Sequence, residues 1–237
     1  MPAPTACQCC EWTRSDFPFT TFMGNANVLS VAAFDNHIYA GTEEGIYRTL
    51  TTNNRIEDFS TWEFLGADQG FPADYSCKDM AIYKGQLYMG INEDVYRFAN
   101  ETPTLFYDQE SAYAMQYLSA EGSYLLAGFR CVGGGCGNGQ VRYLDENAVG
   151  GTLASGCLGV PIYAIEDQFG RFWFGDEWMG FRWLDNTTDE ICNTFEINSP
   201  FSQEVWTVDV TNDEVWISTG AYTPTRTPVA LDKVWPL

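Results

Sequence analysis

One short phrase recurs five times along the chain, and nothing else in the sequence restricts the fold as tightly. It is an apolar return strand that ends on a small residue. The copies are Tyr39-Ala40-Gly41-Thr42, Tyr88-Met89-Gly90-Ile91, Leu126-Ala127-Gly128-Phe129, Trp173-Phe174-Gly175-Asp176 and Trp216-Ile217-Ser218-Thr219, spaced 49, 38, 47 and 43 residues apart. Each copy follows a turn: Asp35-Asn36, Lys84-Gly85, Glu121-Gly122, Phe169-Gly170 and Asn212-Asp213. Ahead of each turn runs an apolar strand: Val28–Phe34, Asp79–Ile82, Tyr113–Leu118, Ile162–Ile165 and Val205–Val210. A third strand comes after each copy: Ile46–Thr49, Val95–Phe98, Val141–Leu144, Phe181–Leu184 and Val229–Val234. β-Branched and aromatic residues suit a pleated, packed surface, and Asn, Asp and Gly supply the backbone that tight turns require.

A fourth, less regular strand separates the repeats, at Thr61–Leu65, Thr104–Tyr107, Gly151–Ala154 and Thr194–Ile197. Its fifth copy is missing after the last repeat and is matched near the start of the chain by Glu11-Trp12-Thr13-Arg14. A circular array closes when the first strand of the chain completes the last blade, which leaves no long open sheet edge. A repeat of about 44 residues is the usual size of a four-stranded blade. The predicted fold is therefore an all-β, five-bladed propeller closed by Glu11–Arg14, forming one domain over residues 11–237 after a Cys- and Pro-rich leader over 1–10.

Residues Ile162–Phe181 resemble the propeller repeats of bacterial two-component sensor ectodomains. Those repeats run apolar-x-Ala-Ile-x-x-Asp-x-x-Gly-x-aromatic-Trp-apolar-Gly, and Asp68-Gln69-Gly70-Phe71-Pro72 is similar to their Gly-Leu-Pro linker. The resemblance implies propeller blades. It does not carry over a signalling role, because no membrane span or output segment accompanies the repeats.

Hydrophobic residues make up 45% of the chain and aromatics 16%, enough to fill the interfaces between blades. Acidic residues outnumber basic ones 32 to 12, giving a net charge of −20. Phosphate backbones and anionic membranes attract clustered Lys and Arg, so neither nucleic acid nor a membrane surface is an expected partner. No apolar run is long enough to span a bilayer. The first ten residues have neither the basic start nor the apolar core of a signal peptide. Cysteines stand at Cys7, Cys9, Cys10, Cys77, Cys131, Cys136, Cys157 and Cys192. They read either as disulfides in an oxidising compartment or as reduced structural thiols. Cys131 and Cys136 bracket a Gly-rich insert and are placed to bridge each other. Zinc spacing is absent, and the single histidine, His37, is expected in a turn.

The slot between second and third strands carries every irregular feature. It holds Glu43-Glu44 in the first repeat, the insert Arg130–Gly139 in the third, Asp176-Glu177-Trp178-Met179 in the fourth and Gly220–Pro228, with Tyr222, in the fifth. Function in such rings is usually built from loops on a rigid scaffold. The candidate partner-binding residues are thus Glu43, Glu44, Arg130, Asp176, Glu177, Trp178 and Tyr222. Inter-blade packing is the competing reading for Trp178. No catalytic site, cofactor or metal is expected: a glycosidase needs converging carboxylates, and only Asp79, Glu204 and Asp209 lie in or beside first strands. These features point to a non-catalytic structural or attachment protein of an extracellular assembly, such as a virion, a tail or a cell surface. Its partner would be protein or glycan; a free-standing lectin or sensor propeller is the alternative, and a five-bladed glycosidase a more distant one.

Overall fold

The computed structural model describes residues 26–109, 112–120, 122–134, 136–153, 156–189, 191–195, 205–210, 214–219 and 231–236. β1 (Val28–Phe34), β2 (His37–Thr42), β3 (Gly45–Leu50) and β4 (Glu63–Leu65) form the first sheet. β5 (Cys77–Tyr83), β6 (Gln86–Ile91), β7 (Asp94–Ala99) and β8 (Thr102–Tyr107) form the second. The third comprises β9 (Tyr113–Ser119), β10 (Leu125–Cys131), β11 (Gln140–Leu144) and β12 (Gly150–Leu153). The fourth comprises β13 (Pro161–Glu166), β14 (Phe172–Asp176), β15 (Gly180–Leu184) and β16 (Asn193–Phe195). A last sheet has three strands, β17 (Val205–Val210), β18 (Glu214–Thr219) and β19 (Leu231–Pro236). All neighbours are antiparallel and in chain order, and the first strands pack side by side from β1 through β5, β9 and β13 to β17. Four blades of four strands are therefore complete. The predicted closing strand Glu11–Arg14 and the leader lie outside the described residues.

The hairpins follow their turn chemistry. Asp35 and Asn36, Lys84 and Gly85, and Asn100 and Glu101 all take positive φ, which matches the twist of the flanking strands. Several strand bounds move by one or two residues, among them β5, β8 and β19, and two shifts have a visible cause. His37 begins β2 instead of lying in the turn, with Nδ1 2.9 Å from the Asp35 carbonyl. The fourth strand of blade one starts at Glu63, not Thr61, because Phe59–Thr61 winds into a 3₁₀ turn. Asp58 caps that turn by accepting from Ser60 N at 3.0 Å and Ser60 Oγ at 2.6 Å.

Every first strand carries one extra residue at the same place: Leu29, Lys78, Gln116, Ile162 and Trp206. Such a bulge raises the local twist and re-aims the next side chain. The next residue then faces the small residue that marks each repeat, giving Ser30 opposite Gly41, Asp79 opposite Gly90, Tyr117 opposite Gly128, Tyr163 opposite Gly175 and Thr207 opposite Ser218. A Cβ on Gly41 would lie 2.9 Å from Cys77 Sγ of the next blade, and one on Gly90 2.8 Å from Met115 Cγ of the blade after. On Gly128 it would collide with the Tyr117 ring. At Gly41 and Gly90 the repeat glycine thus marks where the next blade's first strand presses in, and at Gly128 it makes room for Tyr117 of its own blade. Apolar side chains fill the rest of each interface: Tyr39, Leu87 and Met89 between blades one and two, and Leu126, Phe172 and Phe174 between blades three and four.

The Asp and Trp of the fourth repeat form a buried latch. Asp167 Oδ2 accepts from Trp173 Nε1 at 2.9 Å and Arg171 Nε at 2.7 Å, and Oδ1 accepts from Phe169 N at 2.8 Å and Arg171 N at 3.0 Å. Burial opposes ionisation of this carboxyl, but the donors, led by Trp173, outweigh it and hold the group below the usual carboxylate range. Because its folded value is the lower one, its stabilisation is present above the unfolded value near about 4 and is lost as pH falls through the folded value. Asp167→Asn should lower stability at neutral pH by about 2 kcal/mol and flatten the acid limb of the stability–pH curve. Denaturant titrations from pH 7 downward check both effects.

Candidate binding face

Blade four turns from β14 to β15 through Glu177, Trp178 and Met179, and this turn is built on one buried carboxylate. Asp176 does not reach solvent. Its Oδ1 accepts from Trp178 N at 2.9 Å and Met179 N at 2.8 Å, and its Oδ2 accepts from Gly159 N at 2.8 Å. Glu177 N donates to the Val160 carbonyl at 2.9 Å, and Gly180 closes the turn at a positive φ of 70°. Asp176, expected among the contact residues, is therefore a positioning residue whose oxygens are already engaged.

Trp178 is 70% exposed, and Met179 beside it is also exposed. One side of the indole rests on the chain at Gly159, where a Cβ would come within 2.9 Å of Trp178 Cε3. Arg182 Nε donates to the Met179 carbonyl at 3.2 Å and steadies the far side of the turn. The packing alternative for Trp178 does not hold, since most of its surface is open to solvent.

Gly156–Val160 acts as a strap between this turn and the blade-three insert. Gly159 O accepts from Gly139 N at 2.9 Å, and Gly156 O accepts from Asn138 Nδ2 at 3.4 Å. Val132 N and Gly133 N both donate to Ala112 O, anchoring the insert at its start. Cys131 and Cys136 are bridged, with Cα atoms 5.7 Å apart. A second bridge, Cys157–Cys192, ties the strap to the segment leading into β16, with Cα atoms 6.0 Å apart. Cys77 is a free, buried thiol pushed well above its ordinary range by burial.

The structure thus brings Arg130, the insert, the strap, Glu177 and Trp178 into one connected surface. Arg130 and Glu177 are exposed. Glu43 and Glu44, also exposed, sit in the corresponding turn of blade one. Glu43 Oε2 accepts from Asn27 Nδ2 at 3.0 Å. Tyr222 and Glu204 lie outside the described residues. The sequence did not single out the strap or Arg182; Gly159, two residues before Pro161 and without a turn of its own, was the available signal.

Of the carboxylates weighed for catalysis, Asp79 holds backbone N–H groups. Asp79 Oδ2 accepts from Leu118 N of the next blade at 2.7 Å, and Oδ1 accepts from Met80 N at 2.8 Å. Burial raises its pKa, opposed by those two N–H groups and by the Lys78 charge. Asp209 is exposed on β17. Among the described residues, no group of three or more His, Cys, Asp or Glu is arranged to hold a metal, and no helix is long and apolar enough to cross a membrane.

No protein-family model matches the chain, and no curated protein matches it. Solved structures do. The WD40 β-propeller domain of Doa1 matches with a TM-score of 0.58 at 10% identity, covering 82% of this chain and 62% of that one. PorZ, a bacterial surface component of the type-IX secretion system of Porphyromonas gingivalis, matches with a TM-score of 0.52 at 13% identity, covering 84% of this chain and 25% of that one. The chain thus spans less than two thirds of either neighbour. At these identities the likeness establishes the propeller fold, while no match in sequence links the chain to sensor ectodomains.

Asp176→Ala should leave three backbone donors without their acceptor and lower stability by about 2–3 kcal/mol. The Trp178 indole N–H should also gain mobility, read from its NMR order parameter, with the other indoles unchanged.

Proposed function

We propose that the chain is a non-catalytic attachment propeller of a cell-surface or extracellular assembly, and that it holds a protein partner through the loop end carrying Trp178. The observation that carries this reading is the pre-set, exposed indole on a turn fixed by Asp176 and the strap. A large aromatic held rigid before binding loses little side-chain entropy on contact, which is the property of an interface anchor. Support for an oxidising location comes from the two bridges, Cys131–Cys136 and Cys157–Cys192. The surface role stated for PorZ agrees with it. Glu43, Glu44, Arg130, Glu177 and Tyr222 are proposed to border the contact. A virion or tail particle is one assembly of this kind. A glycan is the second reading, favoured by the largely exposed indole with Glu177 beside it.

The reading includes a closed ring over residues 11–237, with Glu11–Arg14 as the outermost strand of the fifth blade, paired to β19. The last sheet has three strands where the other four have four, which motivates the assignment. Deleting residues 1–14 should then destabilise the protein markedly, and a shortened chain that melts like the full one would refute closure.

In the cells that make it, the full chain should sediment with a large surface assembly, and Trp178→Ala should release it by weakening association by about 2 kcal/mol without changing the melting temperature. Co-sedimentation unaffected by Trp178→Ala would overturn the reading. So would turnover of a glycan abolished by Asp79→Asn in a folded variant.

A further inference from the structure

Each sheet has two ends. The chain turns from second to third strand at the loop end, which carries Trp178; the turns from first to second and from third to fourth strand lie at the other, the hairpin end. Two Asn-x-Thr triplets occur in the sequence, Asn100-Glu101-Thr102 and Asn186-Thr187-Thr188. Triplets of this kind arise by chance in many proteins, and placement is what gives these two meaning. Both fall in the same slot of their blades: Asn100 and Glu101 form the turn from β7 to β8, and residues 186–188 follow β15 on the way to β16. Both asparagines are exposed. Asn100 sits at a positive φ of 50°, and Thr102 Oγ1 donates to its carbonyl at 3.4 Å. Asn186 Oδ1 accepts from Thr188 Oγ1 at 2.6 Å and Thr188 N at 2.8 Å, and its Nδ2 donates to Asp189 Oδ1 at 3.0 Å. At the loop end, Asn27, Asn92 and Asn138 are followed two residues on by Leu29, Asp94 and Gln140, so no hydroxyl stands in the third place.

We propose that Asn100 and Asn186 are N-glycosylation sites, so that the hairpin end carries hydrated sugar and the loop end stays bare. The two sites stand independently of the attachment reading above; the use of the bare end rests on it. Asn-x-Thr on an accessible turn presents a carboxamide and, two residues on, the hydroxyl by which an oligosaccharyl transferase recognises its acceptor. At Asn186 those two groups already lie in hydrogen-bond contact. The donor is an oligosaccharide carried on a polyisoprenyl pyrophosphate, and the transferase belongs to the cell. The Asn Nδ2 attacks C1 of the first sugar: the N–C1 bond forms, the C1–O bond to the pyrophosphate breaks, and the lipid pyrophosphate leaves with that electron pair. One amide proton passes to the medium, the other stays, and nothing is oxidised or reduced. Support for the compartment comes from the bridges Cys131–Cys136 and Cys157–Cys192, since disulfides form in the same exported spaces. Val149 and Phe169, in other turns at the hairpin end, are 65% and 63% exposed, and bulky sugar beside them shields apolar surface from casual contact.

The test uses the full chain purified from the cells that make it. Its intact mass should exceed that of the bare polypeptide. Peptide-N-glycosidase in heavy-oxygen water should bring the mass down and mark Asn100 and Asn186 as labelled Asp. Peptide mapping reads both, after reduction of the Cys157–Cys192 bridge whose loop contains Asn186. Asn100→Gln and Asn186→Gln should each remove one glycan, and the double variant both. Because Asn186 also holds its own turn, two further variants separate recognition from folding. Thr188→Ala should lose the Asn186 glycan, whereas Thr188→Ser, which retains the hydroxyl, should keep it. A chain with the mass of bare polypeptide, sugar that resists the glycosidase, or an Asn186 glycan that survives Thr188→Ala would overturn the proposal. Sugar at one acceptor alone would strike the other. Stripping the sugars from the folded protein should leave co-sedimentation with the assembly unchanged, and release on stripping would overturn the role given to the bare end. If both asparagines carry sugar while co-sedimentation ignores Trp178→Ala, the attachment reading falls and the two sites stand.

Discussion

The close approach between one blade's first strand and the preceding blade's second strand is the contact on which the rest depends. It combines two features: a bulge in the approaching first strand, and a residue without a Cβ, or nearly so, for a neighbouring side chain to press upon. Cys77, beside the bulge at Lys78, approaches Gly41 in this way, and Met115, beside the bulge at Gln116, approaches Gly90, whereas Gly128 is pressed by Tyr117 of its own blade. Interiors packed like crystals tolerate no loose fit at such a point, because one displaced strand would shift each later blade in turn. Ser218 at the corresponding position of the last sheet is the one departure, and it remains small. The rigidity that lets a loop end present side chains in fixed positions begins at these contacts.

Buried and half-buried carboxylates form a second layer of the design. Tight connections leave backbone N–H groups that no strand can pair, and each must find an acceptor. Asp79 meets Leu118 across a blade interface, Asp167 meets Phe169 and Arg171 within a hairpin, and Asp176 meets Gly159, Trp178 and Met179 between a turn and the strap. Part of the acidic excess is therefore internal architecture. A count of carboxylates in the sequence overstates both the surface charge and the number of groups available for chemistry.

The blades were legible in the sequence because their signals are local. A return strand ending on glycine, a turn with Asn or Gly and an apolar strand on either side all act within about twenty residues. The pinning of the Arg130–Gly139 insert by Cys131 and Cys136 was legible for the same reason. What escaped was everything fixed by contacts between repeats. The bulges leave no trace in composition, since Leu29, Lys78, Gln116, Ile162 and Trp206 share no chemistry. Pairing of Cys157 with Cys192, 35 residues on, needs the fold to bring them together. Asp176 read as one more acidic loop residue, although its role is to hold the loop. The contact between Trp178 and Gly159 exists only once the strap has folded.

The bridge between Cys157 and Cys192 has a mechanical side. It encloses residues 158–191, including all of β13, β14 and β15, in a covalent loop. Tension applied along the backbone passes through the bond and bypasses that loop. With the bond intact, about 120 Å of extensible chain stays out of reach of a pulling force, since a fully extended residue spans about 3.4 Å. The first three strands of the blade that presents Trp178 are thereby kept out of such a load.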